Sequence, residues 1–340
     1  MKRIWNLLAF WLLMVIVVFS GVVMGENQSG QVTIGYMIGA DDEMLVKAKG
    51  WYEKDLAQRG IKLKYVEFDA GRDINNAMVS NSIDIALLGT VPPAVGVAKK
   101  IPYYIYWIDN IAGDSEGLVV KKKAKVKSVK DLKGKKIATT IGSTSHFSLL
   151  NALKLVGVKP QDVKVLDMLP LDIIAAWQRG DIDAAYTWQP NLSKLLTDGK
   201  ILITSKDLAK KGVITGSVGI VHQQFANKYP ELVTLYVKSL ARAYELYKNN
   251  PDEAAQAIAK ELGITKEAAR QQMDEVIWIS KEEQLSSKYL GTSRKKGKLA
   301  QVFKDTALFL VEQHSLEKAP TVADFEAVIN PKFVEDLKDW

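Results

Sequence analysis

One segment, residues 135–150 (KKIATTIGSTSHFSLL), constrains the fold of this chain more than any other. Residues 137–140 are short, apolar and partly β-branched, which predicts a buried strand. Apolar residues then recur at helical spacing over 148–155. A buried strand that leads directly into a helix is typical of an α/β sheet with helices on its faces.

The turn between this strand and helix contains Gly142, Ser143, Thr144, Ser145 and His146. The first N–H groups of a helix have no partner within the helix, and here three hydroxyls lie beside them. Such a turn can bind an anion. Capping of the helix by Ser or Thr is the plainer alternative, and His146 could either contact an anion or cap the helix.

A second segment repeats the logic at residues 86–92 (ALLGTVP), where a predicted strand ends in Gly89 and Thr90. Pro92 stands where a first helical turn would begin. Two such turns could face each other across a cleft. Trp188 also follows a predicted strand, so it could line that cleft or fill the core.

Composition limits the possible functions. The 340 residues are 47% hydrophobic and 25% charged, which indicates a globular protein of roughly two domains. The absence of cysteine excludes disulfides, thiolate metal sites and cysteine nucleophiles. Three histidines without metal-ligand spacing, and no glycine-rich phosphate loop, predict neither a metal nor another cofactor. Residues 113–117 match G-x-S-x-G, but a strand pattern follows where a hydrolase needs a helix.

The basic balance of the chain is modest. The net charge is +7, and the lysine runs near residues 121–127 and 294–298 are not interleaved with aromatic residues. We therefore expect no binding of nucleic acid.

The N-terminus predicts export. Lys2 and Arg3 precede an uncharged apolar run over residues 4–24, and Val23-x-Gly25 resembles a cleavage site. We expect residues 1–25 to be a signal peptide. Because the run is about as long as a membrane span, an uncleaved anchor is the alternative.

Strand and helix patterns alternate twice along the chain. The first series has strands at 32–37, 61–68, 83–88 and 103–110, with helices at 41–59, 71–80 and 91–99. After Gly113 the pattern restarts, with strands at 117–121, 137–140, 163–168 and 182–188 and helices at 148–155, 171–178 and 190–196. Helices dominate after residue 229, including one at 266–276, and hinges are expected at Gly113 and 215–219.

A weak internal repeat supports two similar lobes. Asp-Ile-x-x-Ala followed by Ser-Ile-Asp-Ile-Ala at residues 73–86 has the same spacing as Asp-Ile-x-x-Ala followed by Asp-Ile-Asp-Ala-Ala at 172–185.

Three stretches carry a family resemblance: residues 142–160 (GSTSHFSLLNALKLVGVKP), 173–190 (IIAAWQRGDIDAAYTWQP) and 81–95 (NSIDIALLGTVPPAV). They resemble periplasmic binding proteins of aliphatic-sulfonate ABC transporters, most of all the taurine binders. The resemblance implies a type II periplasmic-binding-protein fold, with two α/β lobes, a ligand cleft and hinge strands between them. Lobe 1 would comprise 31–113 and 220–340, and lobe 2 would comprise 114–219.

The resemblance also implies the site. The sulfonate would be held by one turn from each lobe, Glu116 and Trp188 match further family positions, and Ser217 stands where taurine binders carry an aspartate. Asp41, Asp42, Asp109 or Glu116 would then have to face the ammonium of taurine. The residues matched to the sulfonate are Gly89, Thr90, Ser143, Thr144, Ser145 and His146.

The function implied is that of a monomeric periplasmic protein that delivers a small sulfonate, with taurine first, to an ABC permease and its ATPase. The alternatives are a binding protein for another alkanesulfonate, nitrate or an amino-acid-like osmolyte, an enzyme on the same fold, and a membrane-tethered sensor domain.

Overall fold

The computed structural model describes residues 30–337. The predicted signal peptide, residues 1–25, lies outside the described residues. Within the described range, no helix combines the length and apolar character that crossing a membrane requires.

Two sheets organise these residues. Their strands, numbered in chain order, are β1 Gln31–Tyr36, β2 Lys62–Glu67, β3 Ile85–Gly89, β4 Tyr103–Ala112, β5 Glu116–Lys121, β6 Lys136–Thr139, β7 Lys164–Asp167, β8 Ala184–Trp188, β9 Gly199–Thr204, β10 Gly216–His222 and β11 Val276–Trp278.

Helices cover both faces of the sheets. They are α1 Asp42–Lys49, α2 Trp51–Ala57, α3 Gly71–Val79, α4 Val91–Ala98, α5 Thr144–Leu155, α6 Pro170–Arg179, α7 Asn191–Leu196, α8 Ser205–Ala209, α9 Gln223–Lys228, α10 Pro230–Asn249, α11 Pro251–Leu262, α12 Lys266–Asp274, α13 Lys281–Gln284, α14 Leu299–Glu312, α15 Val322–Val328 and α16 Lys332–Glu335. Two 3₁₀ turns, Val129–Leu132 and Pro160–Asp162, complete the list.

Each sheet combines parallel and antiparallel pairs. The first has the order β11-β4-β10-β3-β1-β2, and β1 is parallel to β2 and β3 whereas β10 is antiparallel to β3 and β4. The second has the order β7-β6-β8-β5-β9, and β6 is parallel to β7 and β8 whereas β5 is antiparallel to β8 and β9. We call the elements around these sheets the first and second lobes. The predicted two-lobe α/β fold is confirmed.

The chain passes between the lobes twice. It leaves the first sheet after β4 and enters the second at β5, only three residues later. It returns between β9 and β10. The division predicted between residues 219 and 220 falls inside β10, whose whole length pairs in the first sheet.

The two lobes touch through apolar side chains. Phe147 and Leu150 of α5, in the second lobe, are buried in the core cluster of the first lobe. The ring of Phe147 meets Phe309 of α14 edge-on, with centroids 5.0 Å apart. The structure is therefore a closed arrangement of the lobes.

The predicted repeat has a physical counterpart in both lobes. The N–H of Thr33 donates to Asp84 Oδ2, and the N–H of Lys136 donates to Asp183 Oδ2, each at 2.8 Å. The N–H groups of the two aspartates donate back to the carbonyls of Thr33 and Lys136. The Ile-Asp motif thus anchors the start of a central strand to its neighbour twice.

Two predicted helices differ in the structure, and one strand of the structure was not predicted. The helix expected over 41–59 is two helices, because Gly50 adopts φ +61° and ends α1. The helix expected over 266–276 ends at Asp274, and Val276 begins β11. Periodicity does not predict β9, which lies at the sheet edge with several apolar side chains partly exposed.

Candidate functional site

A cavity of about 110 Å³ lies between the lobes. It is smaller than the roughly 300–1,000 Å³ typical of pockets for drug-sized ligands, so it suits a small ion. Its lining comes from both sheets and includes six residues predicted from the sequence: Asp41, Gly89, Glu116, Ser143, Thr144 and Trp188.

The second lobe contributes the start of α5. Ser143 is the N-cap, and its hydroxyl accepts the N–H of His146 at 3.2 Å and donates to the carbonyl of Thr140 at 2.6 Å. The N–H groups of Thr144 and Ser145 belong to the first turn, which the helix itself cannot satisfy. With the positive end of the helix dipole, they can bind an anion. Capping and anion binding are thus compatible here.

The side chain of Thr144 forms a hydrogen bond within the second lobe. Its hydroxyl donates a hydrogen bond to Glu116 Oε1, and Ser205 Oγ donates to Glu116 Oε2 at 3.1 Å. Glu116 is 8% exposed and faces Trp188 across the β5–β8 pair. Burial raises the pKa of Glu116 to about 7, although both hydroxyls favour its charged form.

Ser145 and His146 are not among the residues that line the cavity. The Ser145 hydroxyl is fully buried and has no hydrogen-bond partner within residues 30–337. His146 Nδ1 accepts the N–H of Gly142 at 3.4 Å, and burial lowers the pKa of the ring. The side chain of His146 therefore stabilises the turn, whereas Ser145 can offer its N–H.

The first lobe contributes the end of β3. A Cβ on Gly89 would lie 2.8 Å from Thr144 Cγ2, so glycine permits the close approach of the lobes at this point. Thr90 is buried, does not line the cavity, and donates its N–H to the carbonyl of Gly216 at 2.9 Å. The sequence predicts both Gly89 and Thr90 at the site, and the cavity lining includes Gly89 but not Thr90.

Of the three aspartates predicted to face a ligand cation, one lines the cavity and two do not. Asp41 lines the cavity and caps α1 by accepting the N–H of Met44 at 2.8 Å. Asp109 is buried and does not line the cavity; Asn110 donates to it, and burial, followed by the charge of Asp42, raises its pKa well above the usual range. Asp42 accepts the indole N–H of Trp107 at 2.6 Å. Asp109 and Asp42 therefore lie outside the cavity, contrary to expectation.

Sequence reasoning missed several polar lining residues: Asn110, Ser115, Gln189 and Gln272. Asn110 lies in β4 and Ser115 follows it, where the chain crosses between the lobes. Their position next to the predicted hinge at Gly113 was a signal that they could line the cleft. Gln272 comes from α12, far along the chain, and no local motif marks it. Within the described range, no cluster of three or more His, Asp or Glu side chains could hold a metal ion.

Comparison with known proteins identifies relatives. A family model described as NMT1/THI5 like matches residues 43–254. The taurine-binding periplasmic protein of Escherichia coli (strain K12) is 34% identical over 317 residues, covering 91% of this chain and 94% of that protein.

Solved structures share the fold. The alkanesulfonate-binding protein of Xanthomonas axonopodis pv. citri, bound to MOPS, aligns with a TM-score of 0.73 at 23% identity, over 87% of this chain and 98% of that one. A desulfurization enzyme aligns with a TM-score of 0.64 at 16% identity, over 90% of this chain and 98% of that one. At such identities, the likeness concerns fold and not activity.

Proposed function

The chain belongs to the NMT1/THI5-like family, together with the taurine-binding periplasmic protein of Escherichia coli, and we propose that it is the solute-binding component of an ABC importer for a small sulfonate. Taurine is the leading ligand. The protein would be exported, act as a monomer in the periplasm, and deliver its ligand to a permease driven by an ATPase. Its lobes would divide at the two crossings on either side of residues 114–215.

One observation carries the proposal: the first turn of α5 opens into a small cavity that both lobes line. A sulfonate spreads one negative charge over three oxygens, so N–H groups and a helix dipole can satisfy it without a basic side chain. Among the lining residues of 30–337, none is lysine or arginine. An anion site formed by N–H groups, without a basic side chain, suits a sulfonate.

Thermal unfolding with a panel of ligands tests the ligand class. A ligand at 100 times its dissociation constant stabilises the folded state by about 2.7 kcal/mol. Taurine and other alkanesulfonates should raise the melting temperature, and nitrate and amino acids lacking a sulfonate should not. If no sulfonate has an effect, the proposal is wrong.

Two variants of Thr144 test the anion site itself. Thr144 is the first residue of α5, where proline is favoured, and Ser143 before it is extended at φ −90° and ψ 172°. Thr144→Pro removes the N–H and the hydroxyl, whereas Thr144→Ala removes the hydroxyl alone. Calorimetry should show that proline weakens sulfonate binding ~10- to 100-fold more than alanine does. Equal losses would exclude this N–H as a ligand contact.

Export is tested separately. Cells that make the full chain should release a mature form beginning near Glu26, which N-terminal sequencing would identify. Retention of residues 1–25 in the membrane fraction would favour the anchor.

A further inference from the structure

The cavity supplies carboxyl groups but no fixed positive charge. Asp41 from the first lobe and Glu116 from the second both line it, without a lysine, arginine or histidine among the lining residues of 30–337. An amine-free sulfonate would bring a negative charge towards two acids, which opposes binding when either is ionised. The cavity is therefore better matched to a ligand that also carries a cation.

Glu116 is already satisfied within its own lobe. Each of its two carboxylate oxygens accepts a hydrogen bond from a hydroxyl, one from Thr144 and the other from Ser205. A ligand ammonium beside Glu116 would have to compete with these two hydroxyls for the carboxylate oxygens.

Asp41 is less engaged. Its Oδ1 accepts the N–H of Met44, and within residues 30–337 no side chain donates to its carboxylate. Burial, and next the charge of Asp109 behind it, raise the pKa of Asp41. A cation beside Asp41 would offset both effects, so binding of the cation and ionisation of Asp41 would favour each other.

Gln272 provides an independent sign of a ligand. It is 5% exposed and lines the same cavity, yet its Oε1 is buried and has no hydrogen-bond partner within the described residues. A buried acceptor without a donor is costly, because it has lost its hydrogen bonds to water, so such an atom needs an explanation. A donor carried by a ligand would satisfy it.

We propose that Asp41 and Gln272 form a subsite for the primary ammonium of the ligand, so that the cavity takes a small zwitterionic aminosulfonate. This inference rests on the proposed function and specifies it. The sulfonate binds the first turn of α5 in the second lobe, and the ammonium binds the first lobe. One ligand then bridges both lobes and favours their closed arrangement.

Two ligands that differ only at the cation test the subsite. Taurine and propane-1-sulfonate are nearly equal in size, with an ammonium in the first and a methyl group in the second. Calorimetry on the wild-type protein should give taurine at least ~10-fold tighter binding, as expected for one charged hydrogen-bonded contact.

Asp41→Asn should weaken taurine ~10- to 100-fold, whereas propane-1-sulfonate should bind equally well or up to ~3-fold more tightly, because asparagine still caps α1 and an acid that opposes the sulfonate is removed. Gln272→Leu should weaken taurine ~3- to 10-fold with little effect on propane-1-sulfonate. Gln272→Glu should weaken only propane-1-sulfonate. Glu53→Gln removes a charge from the exposed surface of α2 and should change neither ligand.

The outcomes are distinct. If wild-type protein binds the two sulfonates equally, or if Asp41→Asn leaves their ratio unchanged, the subsite is refuted and the proposed function stands. If Glu116→Gln, and not Asp41→Asn, abolishes the preference for taurine, the cation binds the second lobe and the inference is wrong. If wild-type protein binds neither, the proposed function itself fails. Gln272→Leu tests the same subsite without altering the helix cap.

Discussion

The hydroxyl of Thr144 donates its hydrogen bond to Glu116, not into the cavity that both residues line. The hydroxyl of Ser143 is likewise engaged, with the carbonyl of Thr140. The hydroxyls of Ser143 and Thr144 therefore order the turn, and the N–H groups of Thr144 and Ser145 are the better anion ligands.

The first prediction concerns pH. Burial raises the pKa of Glu116 from 4.5 to about 7. The folded chain therefore keeps this proton at a pH where the unfolded chain has lost it. The resulting stabilisation is complete below about pH 4.5 and is lost as the pH rises through 7. Relative to Glu116→Gln, the wild-type free energy of unfolding should fall by up to about 3 kcal/mol across this window.

Urea unfolding without ligand, at several pH values between about 4 and 8, measures this difference. The difference between wild type and Glu116→Gln is needed because burial also raises the pKa of Asp42 to about 7, which gives the same sign of pH dependence in both proteins. Glu53→Gln serves as the surface control. Parallel curves for wild type and Glu116→Gln would contradict the prediction.

The second prediction concerns the contact between Gly89 and Thr144. Gly89→Ala places a methyl group 2.8 Å from Thr144 Cγ2, so the lobes must separate slightly. Overpacking of this kind costs about 1–3 kcal/mol, which corresponds to ~5- to 100-fold weaker ligand binding. Thr144→Ser removes the opposing methyl group and keeps the hydroxyl.

The double variant Gly89→Ala/Thr144→Ser should therefore recover most of the affinity. Gly30→Ala is the matched control, because a Cβ there meets no atom of residues 30–337 within 4 Å. Calorimetry with taurine compares the wild-type protein, Gly89→Ala, the double variant and Gly30→Ala. Failure of Thr144→Ser to rescue binding would show that the steric contact is not the cause.

The third prediction concerns an ion pair between the lobes. Arg72 of α3 donates to Asp167 at 2.9 Å and to the carbonyl of Ile141 at 3.1 Å, joining the lobes. Both charged side chains are about 40% exposed, at 40% and 41%, so the pair is worth at most about 1 kcal/mol. Arg72→Ala should speed ligand release up to ~5-fold at low salt, and the effect should shrink at high salt.

Stopped-flow measurement of the release rate, in a cycle with Asp167→Asn, isolates the pair. Lys154→Ala provides a comparison, because Lys154 and Glu312 also join the lobes but through more exposed side chains. A release rate that is unchanged by Arg72→Ala at low salt would mean that the pair does not hold the closed form.

Local patterns predicted the fold well and the site only in part. The anion-binding turn and the Ile-Asp repeat are local, because a strand, a turn and a helix follow each other in the chain. Which side chains face the cavity is decided by tertiary contacts. Thr90 follows Gly89 directly and yet is not part of the lining, whereas Gln272 reaches the cavity from a helix more than 150 residues after Glu116. No periodicity encodes such an approach.

The last prediction uses the repeat to compare one interaction in two environments. Asp84 and Asp183 accept equivalent N–H groups, but Thr33 is 7% exposed whereas Lys136 is exposed. Removing the carboxylate leaves the N–H of Thr33 without an acceptor at the more buried site, at a cost of about 1–3 kcal/mol, whereas solvent can reach the N–H of Lys136 more easily at the exposed site. Asp84→Ala should therefore lower the free energy of unfolding more than Asp183→Ala.

Asparagine at either position keeps an acceptor and should recover much of the loss. Because the sites lie in different lobes, the double alanine variant should show additive losses within about 0.5 kcal/mol in urea unfolding. Equal losses for the two single variants would mean that burial of the donor does not set the cost.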